Sequence, residues 1–151
     1  MLTRTSEYAL RAMIHLAHHE KHWPVPGRTI AKAADIPPKY LSKILGDLVR
    51  AGVLGSTPGK SGGFRMSKRA EEISLFSVLK PFEQFTNRRC PFGNQQCNDT
   101  SPCNAHNEWK KVLEAQQQFL RQTSVHDIAD KMSLRVTKLS VKTKYGDRVD
   151  P

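Results

Sequence analysis

Two adjacent prolines, Pro37 and Pro38, interrupt a run of helical apolar spacing and leave few ways to fold the first third of the chain. Proline has no amide hydrogen and its ring clashes inside a helix, so one continuous helix is excluded. Its fixed φ nonetheless suits the first helical position. Before the pair, Thr29 to Ala34 suits a two-turn helix buried through Ile30, Ala33 and Ala34. After it, Leu41, Ile44, Leu45 and Leu48 keep the 3.6-residue period until Gly52, which predicts a helix from Pro38 to Arg50. Its outer face carries Lys39, Ser42, Lys43 and Arg50. A short helix, a tight turn and a second helix with a basic outer face is the pattern of a helix-turn-helix.

The flanking segments extend this unit. Leu10, Met13, Ile14 and Ala17 share one face of a helix predicted from Thr3 to His19. Beyond Gly52, Val53 and Leu54 begin an extended run. Pro58 to Gly63 supplies a turn, and Phe64-Arg65-Met66 alternates on the way back, giving a small β-hairpin or wing. Its tip contains Gly59-Lys60-Ser61, but Leu54 stands where a phosphate-binding P-loop needs glycine, so that reading is rejected. A glycine-rich tip bearing Arg65 suits close approach to a narrow minor groove. Ile73 to Phe82 predicts a short helix using Val78, Leu79 and Phe82, cut short by Pro81.

Thr86 to Cys103 reads as an irregular loop. Ser101-Pro102 then looks like a cap and first residue of a helix whose stripe is Trp109, Val112, Leu113, Gln116 and Leu120. That stripe has few partners left in the chain, so it is a candidate for pairing with a second copy in a homodimer. Packing back on its own domain is the alternative. Ser124 and Asp127 predict a capping box for a last helix ending near Met132, and residues 133–151 read as a basic, mobile tail. The architecture expected is mainly α, a winged helix-turn-helix with a small β-hairpin wing and a long C-terminal dimerisation helix. The division expected is 1–84 for DNA binding, 85–103 for a cysteine loop, 104–132 for dimerisation, and 133–151 for the tail.

Charge says what such a unit meets. The 151 residues carry a formal +10. Residues 1–69 hold 12 basic and 4 acidic side chains, whereas 70–132 hold 7 and 8. A basic N-terminal half is the footprint of a module that neutralises phosphates. No apolar run reaches the roughly 18 residues of a membrane span, and the first residues lack the apolar stretch of a secretory signal, so a cytoplasmic chain is expected. No nucleophile-base pair or acidic dyad stands out, and the chain is not read as an enzyme.

Cys90, Cys97 and Cys103 are the three cysteines, all in one loop, with His106 two residues beyond the last. An odd number cannot all pair internally, and in a reducing compartment such a cluster reads first as a metal or redox site. Cys103 and His106 would both lie on the first turn of a helix capped by Ser101, where one metal is within reach of each. Three Cys and one His make a complete zinc set, but gaps of six and five residues are long for structural zinc and suit a larger iron-sulfur cluster better. A second constellation, His15, His18, His19 and His22, also has helical spacing; beside Glu20 and Lys21 it reads as a polar helix end rather than a metal site.

Taken in order, Leu2-Thr3 followed by Tyr8-Ala9-Leu10-Arg11-Ala12, the Ile36 to Leu45 stretch with Tyr40-Leu41, the wing Gly62-Gly63-Phe64-Arg65 and the triple-cysteine loop resemble the Rrf-two (Rrf2) family of winged-helix transcription regulators, with its IscR- and NsrR-like iron-sulfur sensors. The resemblance covers about residues 1–132. It implies a homodimer on a near-palindromic double-stranded DNA operator, with a [2Fe-2S] or [4Fe-4S] cluster whose state sets affinity in response to iron status, nitric oxide or redox stress. Matched residue by residue, Cys90, Cys97 and Cys103 are the cluster cysteines. The fourth ligand is either His106 or Glu7, the latter donated by the other subunit, with a lean to Glu7. Lys39, Tyr40, Ser42 and Lys43 match the recognition helix and Arg65 the wing. The first two are expected on phosphates, and Ser42 and Lys43 nearer base edges. The chain departs from the commonest family pattern in having six residues rather than five between its first two cysteines. A cluster-free regulator of the same fold, responding to thiol redox state or zinc, is the alternative.

Overall fold

The computed structural model describes residues 2–85, 91–92 and 99–132. Helix α1 spans Arg4–His18, α2 Gly27–Ala34 and α3 Pro38–Arg50; strands β1 (Leu54–Thr57) and β2 (Gly63–Met66) form the hairpin. Helices α4 (Leu75–Leu79), α5 (His106–Gln122) and α6 (Val125–Met132) follow. This is the expected winged helix-turn-helix, mainly α with a long C-terminal helix.

The core is built where the periodicity placed it. Met13 and Leu16 of α1, Ile30 of α2, and Leu41, Ile44, Leu45 and Leu48 of α3 are all fully enclosed. In α2 the buried set is Ile30, Ala31 and Ala34, while Ala33 faces solvent, which corrects the expected Ile30, Ala33 and Ala34. In two turns so rich in alanine, apolar spacing does not fix the inward face; packing against α1 and α3 does.

Local chemistry explains the ends. Asp35 closes α2 in the left-handed region (φ 53°), a conformation Asp tolerates better than most residues, and Pro37 and Pro38 open α3 as cap and first residue. At the far end of α3, Gly52 adopts φ 72°. Its N–H donates to the Val49 carbonyl and the Val53 N–H to Leu48, the paired bonds of a Schellman ending. The buried Val53 then directs the chain into β1.

The wing is antiparallel, with Leu54 opposite Met66, Gly55 opposite Arg65 and Thr57 opposite Gly63. It is tied to the domain by Val25, which exchanges two backbone hydrogen bonds of 2.9 Å with Phe64. A Cβ on Gly63 would lie 2.3 Å from the Val25 carbonyl oxygen, so glycine is what permits this third, one-residue strand contact. Two further ties close the domain. Leu75 N–H donates to Thr123 and Val125 N–H to Ile73, and α6 packs on α1, where His18 Nε2 donates to the Ala129 carbonyl at 2.8 Å. The Ser124–Asp127 capping box forms as read, with reciprocal bonds of 2.8 and 3.1 Å. Helix α4 stops before Pro81.

Helix α5 begins at His106, not at Ser101-Pro102. The expected Ser101 cap, and with it the placing of Cys103 and His106 together on a first helical turn, is therefore corrected. Cys103 lies ahead of the helix in a tight turn, its carbonyl accepting from the His106 N–H at 2.9 Å. Asp99 sets the helical register: His106 and Lys110, one turn apart, both bond to its Oδ1, at 2.8 and 3.0 Å. Of the residues in α5 only His106 and Leu120 are buried. Val112 and Phe119 are each 54% exposed, and Trp109, Leu113 and Gln116 are half-covered. The stripe is therefore largely unspent within one chain.

Candidate functional site

Once α3 has buried its Leu and Ile face, the residues between must point outward. Lys39, Tyr40, Ser42 and Lys43 are all exposed on the first half of that helix. Arg50, at the other end, turns back to an ion pair with Asp47. Strand alternation does the same for β2, where Met66 is buried and Arg65 exposed. Arg65 lies across its register partner: a Cβ on Gly55 would come within 3.5 Å of Arg65 Nε. The bare strand surface at Gly55 thus leaves room for the Arg65 stem.

Tyr40 is held more firmly than its neighbours. Its hydroxyl shares a 2.8 Å hydrogen bond with Thr5 Oγ1, and its ring meets Tyr8 edge to face at 5.7 Å. The guanidinium groups of Arg4 and Arg11 lie 5.6 and 5.7 Å from the Tyr8 ring centre, and Arg4 Nε donates to the Tyr8 hydroxyl. The start of α1 therefore adds two cations and a fixed tyrosine pair beside the recognition face. These were not singled out in the sequence, because only the fold brings residues 4–11 against residue 40.

A second addition lies between α2 and the wing. A cleft of about 400 Å³ is lined by Arg28, Ser56, Thr57, Lys60 and Phe64 together with backbone of the glycine-rich tip. Helix α2 begins after Pro26 with no side chain capping its first amides. Free N–H groups at a helix start, flanked by Arg28 and Lys60, suit phosphate oxygens. Proline followed by glycine at the start of α2 was the available signal for this uncapped end.

The cysteine loop lies partly outside the described residues: Cys90 and Cys97 fall there, and Cys103 is half-buried. Among the described residues no three His, Cys, Asp or Glu side chains come together in a way that would hold a metal. His106 is buried, with Nε2 bonded to Asp99. The His106 and Lys110 partners hold the Asp99 carboxyl below its ordinary range. Glu7 is exposed in the first turn of α1 and makes no side-chain hydrogen bond or ion pair among the described residues. The donor set itself suits iron and sulfide: three thiolates with a carboxylate or imidazole as fourth partner are soft to borderline ligands, the kind iron-sulfur centres use.

A helix-turn-helix with an outward basic face, a wing and an uncapped helix start beside it defines the class: a winged-helix DNA-binding protein. The family described as "Rrf2: Iron-dependent Transcriptional regulator" matches residues 2–131, and the chain belongs to it. It is a DNA-binding transcription regulator rather than an enzyme. Among curated relatives, the HTH-type transcriptional regulator IscR of Photobacterium profundum is 25% identical over 156 residues, spanning 97% of this chain and 91% of that protein. Among solved structures, IscR of T. potens superposes with a TM-score of 0.72 at 19% identity, covering 89% of each chain. CymR (YrzC), the global cysteine regulator of B. subtilis, gives 0.74 at 20% identity over 87% of this chain and 97% of the other. Among the described residues no helix is long and apolar enough to cross a membrane.

Proposed function

We propose that this regulator, a cytoplasmic protein, represses transcription by binding a near-palindromic operator as a homodimer, and that an iron-sulfur cluster held by its cysteine loop sets operator affinity. The observation that carries the DNA half of the reading is the single outward face formed by Lys39, Tyr40, Ser42 and Lys43 on α3. Helix α3 enters the major groove, with Ser42 and Lys43 toward base edges and Lys39 and Tyr40 on phosphates. Arg65 reaches the adjoining minor groove, and Arg28, Lys60 and the start of α2 hold the intervening backbone. The largely uncovered stripe of α5, with Val112 and Phe119 more than half exposed, supports dimerisation along that helix. Two copies would then present recognition helices about one turn of DNA apart. Functionally the chain divides into 1–84 for DNA, 85–103 for the cluster, 104–132 for the dimer, and a basic tail of 133–151.

Cys90, Cys97 and Cys103 would hold the cluster, with the partner subunit's Glu7 as fourth ligand. Glu7 is favoured over His106 because its carboxylate is exposed, whereas His106 is buried with Nε2 committed to Asp99. When bound, a cluster with one oxygen ligand supplies an iron corner that reacts with oxidants or nitric oxide and is lost when iron is scarce. Glu7 stands two residues from Thr5, whose hydroxyl holds Tyr40 of α3, so a pull on the start of α1 is felt at the recognition face. On the other side, Glu83 accepts from Thr3 N–H at 2.7 Å and Ser6 Oγ at 2.6 Å, fixing that same helix start to the segment entering the loop.

Anaerobic reconstitution with iron and sulfide is expected to give a coloured protein with visible charge-transfer absorption, and Cys90→Ala to abolish it. A colourless protein that takes up zinc alone would replace the cluster with the thiol- or zinc-responsive reading.

A further inference from the structure

We propose that His15, His19 and His22, at the end of α1 away from Glu7, form a second metal site that takes a borderline divalent cation such as Zn²⁺ through ring nitrogens. The three histidines follow one another along the helix end. The rings of His15 and His19, one turn apart, are 4.1 Å between centres, and those of His19 and His22 are 6.4 Å apart. A short 3-10 turn, Glu20–His22, with the His22 N–H donating to the His19 carbonyl, folds the third ring back toward the second.

Two details separate this group from a solvated polar helix end. His19 Nδ1 lies 2.7 Å from the His15 carbonyl oxygen. A carbonyl only accepts, so Nδ1 carries the hydrogen and Nε2 is left with its lone pair. A backbone carbonyl orienting the far side of a ligating imidazole is the arrangement that fixes tautomer and basicity in metal sites. His15 Nε2, for its part, is buried and has no hydrogen-bond partner. A buried polar nitrogen left unmet costs free energy that a metal bond would recover. Burial first, and then His19 and His18, hold the His15 imidazole below its ordinary range and so in the unprotonated form that ligates.

His18 is the internal contrast. It belongs to the same cluster in sequence, but its Nε2 is spent on the Ala129 carbonyl of α6. The ligand chemistry is that of imidazole: Zn²⁺, Ni²⁺, Co²⁺ and Cu²⁺ fit, whereas Mg²⁺ and Ca²⁺, which want oxygen, do not. Glu7 and His15 are eight residues apart, about 12 Å of helix, so this site is separate from the proposed cluster ligand.

The test uses the full chain with Cys90, Cys97 and Cys103 changed to serine, so that thiols do not compete, and Zn²⁺ titrated at pH 7.5 by calorimetry. One Zn²⁺ per chain is expected. His15→Gln, His19→Gln and His22→Gln are each expected to weaken it at least tenfold, while His18→Gln leaves it within about twofold. Because His15 is partly buried, its variant is read alongside His19→Gln and His22→Gln and a circular dichroism melt. Absence of Zn²⁺ binding would overturn the site. So would binding that His19→Gln and His22→Gln leave unchanged, or that His18→Gln weakens as much.

Discussion

Alanine at both Lys43 and Arg65 is expected to weaken operator binding about 100-fold or more while leaving the melting temperature unchanged. Each side chain is exposed and outside the buried core, so its loss removes no packing. On the DNA side each loss is large, because a side chain seated in a groove contributes about 1–3 kcal/mol, or roughly tenfold to a hundredfold. Lys43 lies one turn beyond Lys39 on the face opposite Leu45 and Leu48, and Arg65 stands on the hinged wing; the two reach different grooves, so their effects should add. Lys39→Ala should behave differently, weakening all sequences alike and lowering the salt slope of log K by about 0.9. Mobility-shift or anisotropy titrations at several salt concentrations separate the two patterns. A double variant that binds as well as the parent would remove α3 and the wing from the interface.

The largest stability loss is expected at Leu48. Its side chain is fully enclosed at the end of α3, among Leu41, Ile44 and Leu45, and its carbonyl accepts the Val53 N–H that closes the helix. Leu48→Ala removes buried methyl groups and leaves a cavity, at a cost of about 2–5 kcal/mol. Domains of this kind have about 5–15 kcal/mol in total. At about 2–4 °C per kcal/mol for a chain of this length, thermal unfolding should fall by about 10 °C. DNA binding measured in the cold should survive, because the α3 surface keeps its side chains. A loss below about 1 kcal/mol would mean that α3 does not pack as described.

The N-terminal two thirds of the fold were legible because their signals are local. Pro37, Pro38 and Gly52 punctuate the chain, and Leu41, Ile44, Leu45 and Leu48 occupy every inward position between them. The same logic places Lys39, Ser42, Lys43 and Arg65 outside. It fails where small residues leave the face undecided, as with Ala31 and Ala33, and where a distant side chain sets the register. Asp99, reaching His106 and Lys110, starts α5 later than Ser101-Pro102 suggested. Long-range ties were invisible for the same reason: nothing near Val25 marks it as a partner of Phe64, nor Glu83 as the acceptor for Thr3 and Ser6. The histidines gave the right spacing and the wrong emphasis, since the orphaned Nε2 of His15 is a property of the packed structure. Cys90 and Cys97 lie outside the described residues, and their role rests on donor chemistry and family resemblance.

The most direct measurement is operator affinity, taken without air on one preparation, with the cluster loaded and after its removal by an iron chelator. If the cysteine loop governs the recognition helices, the two affinities should differ at least tenfold, which needs only about 1.4 kcal/mol of differential binding, and the difference should vanish in Cys90→Ala. Equal affinity in both states, from protein that does carry the cluster, would contradict it.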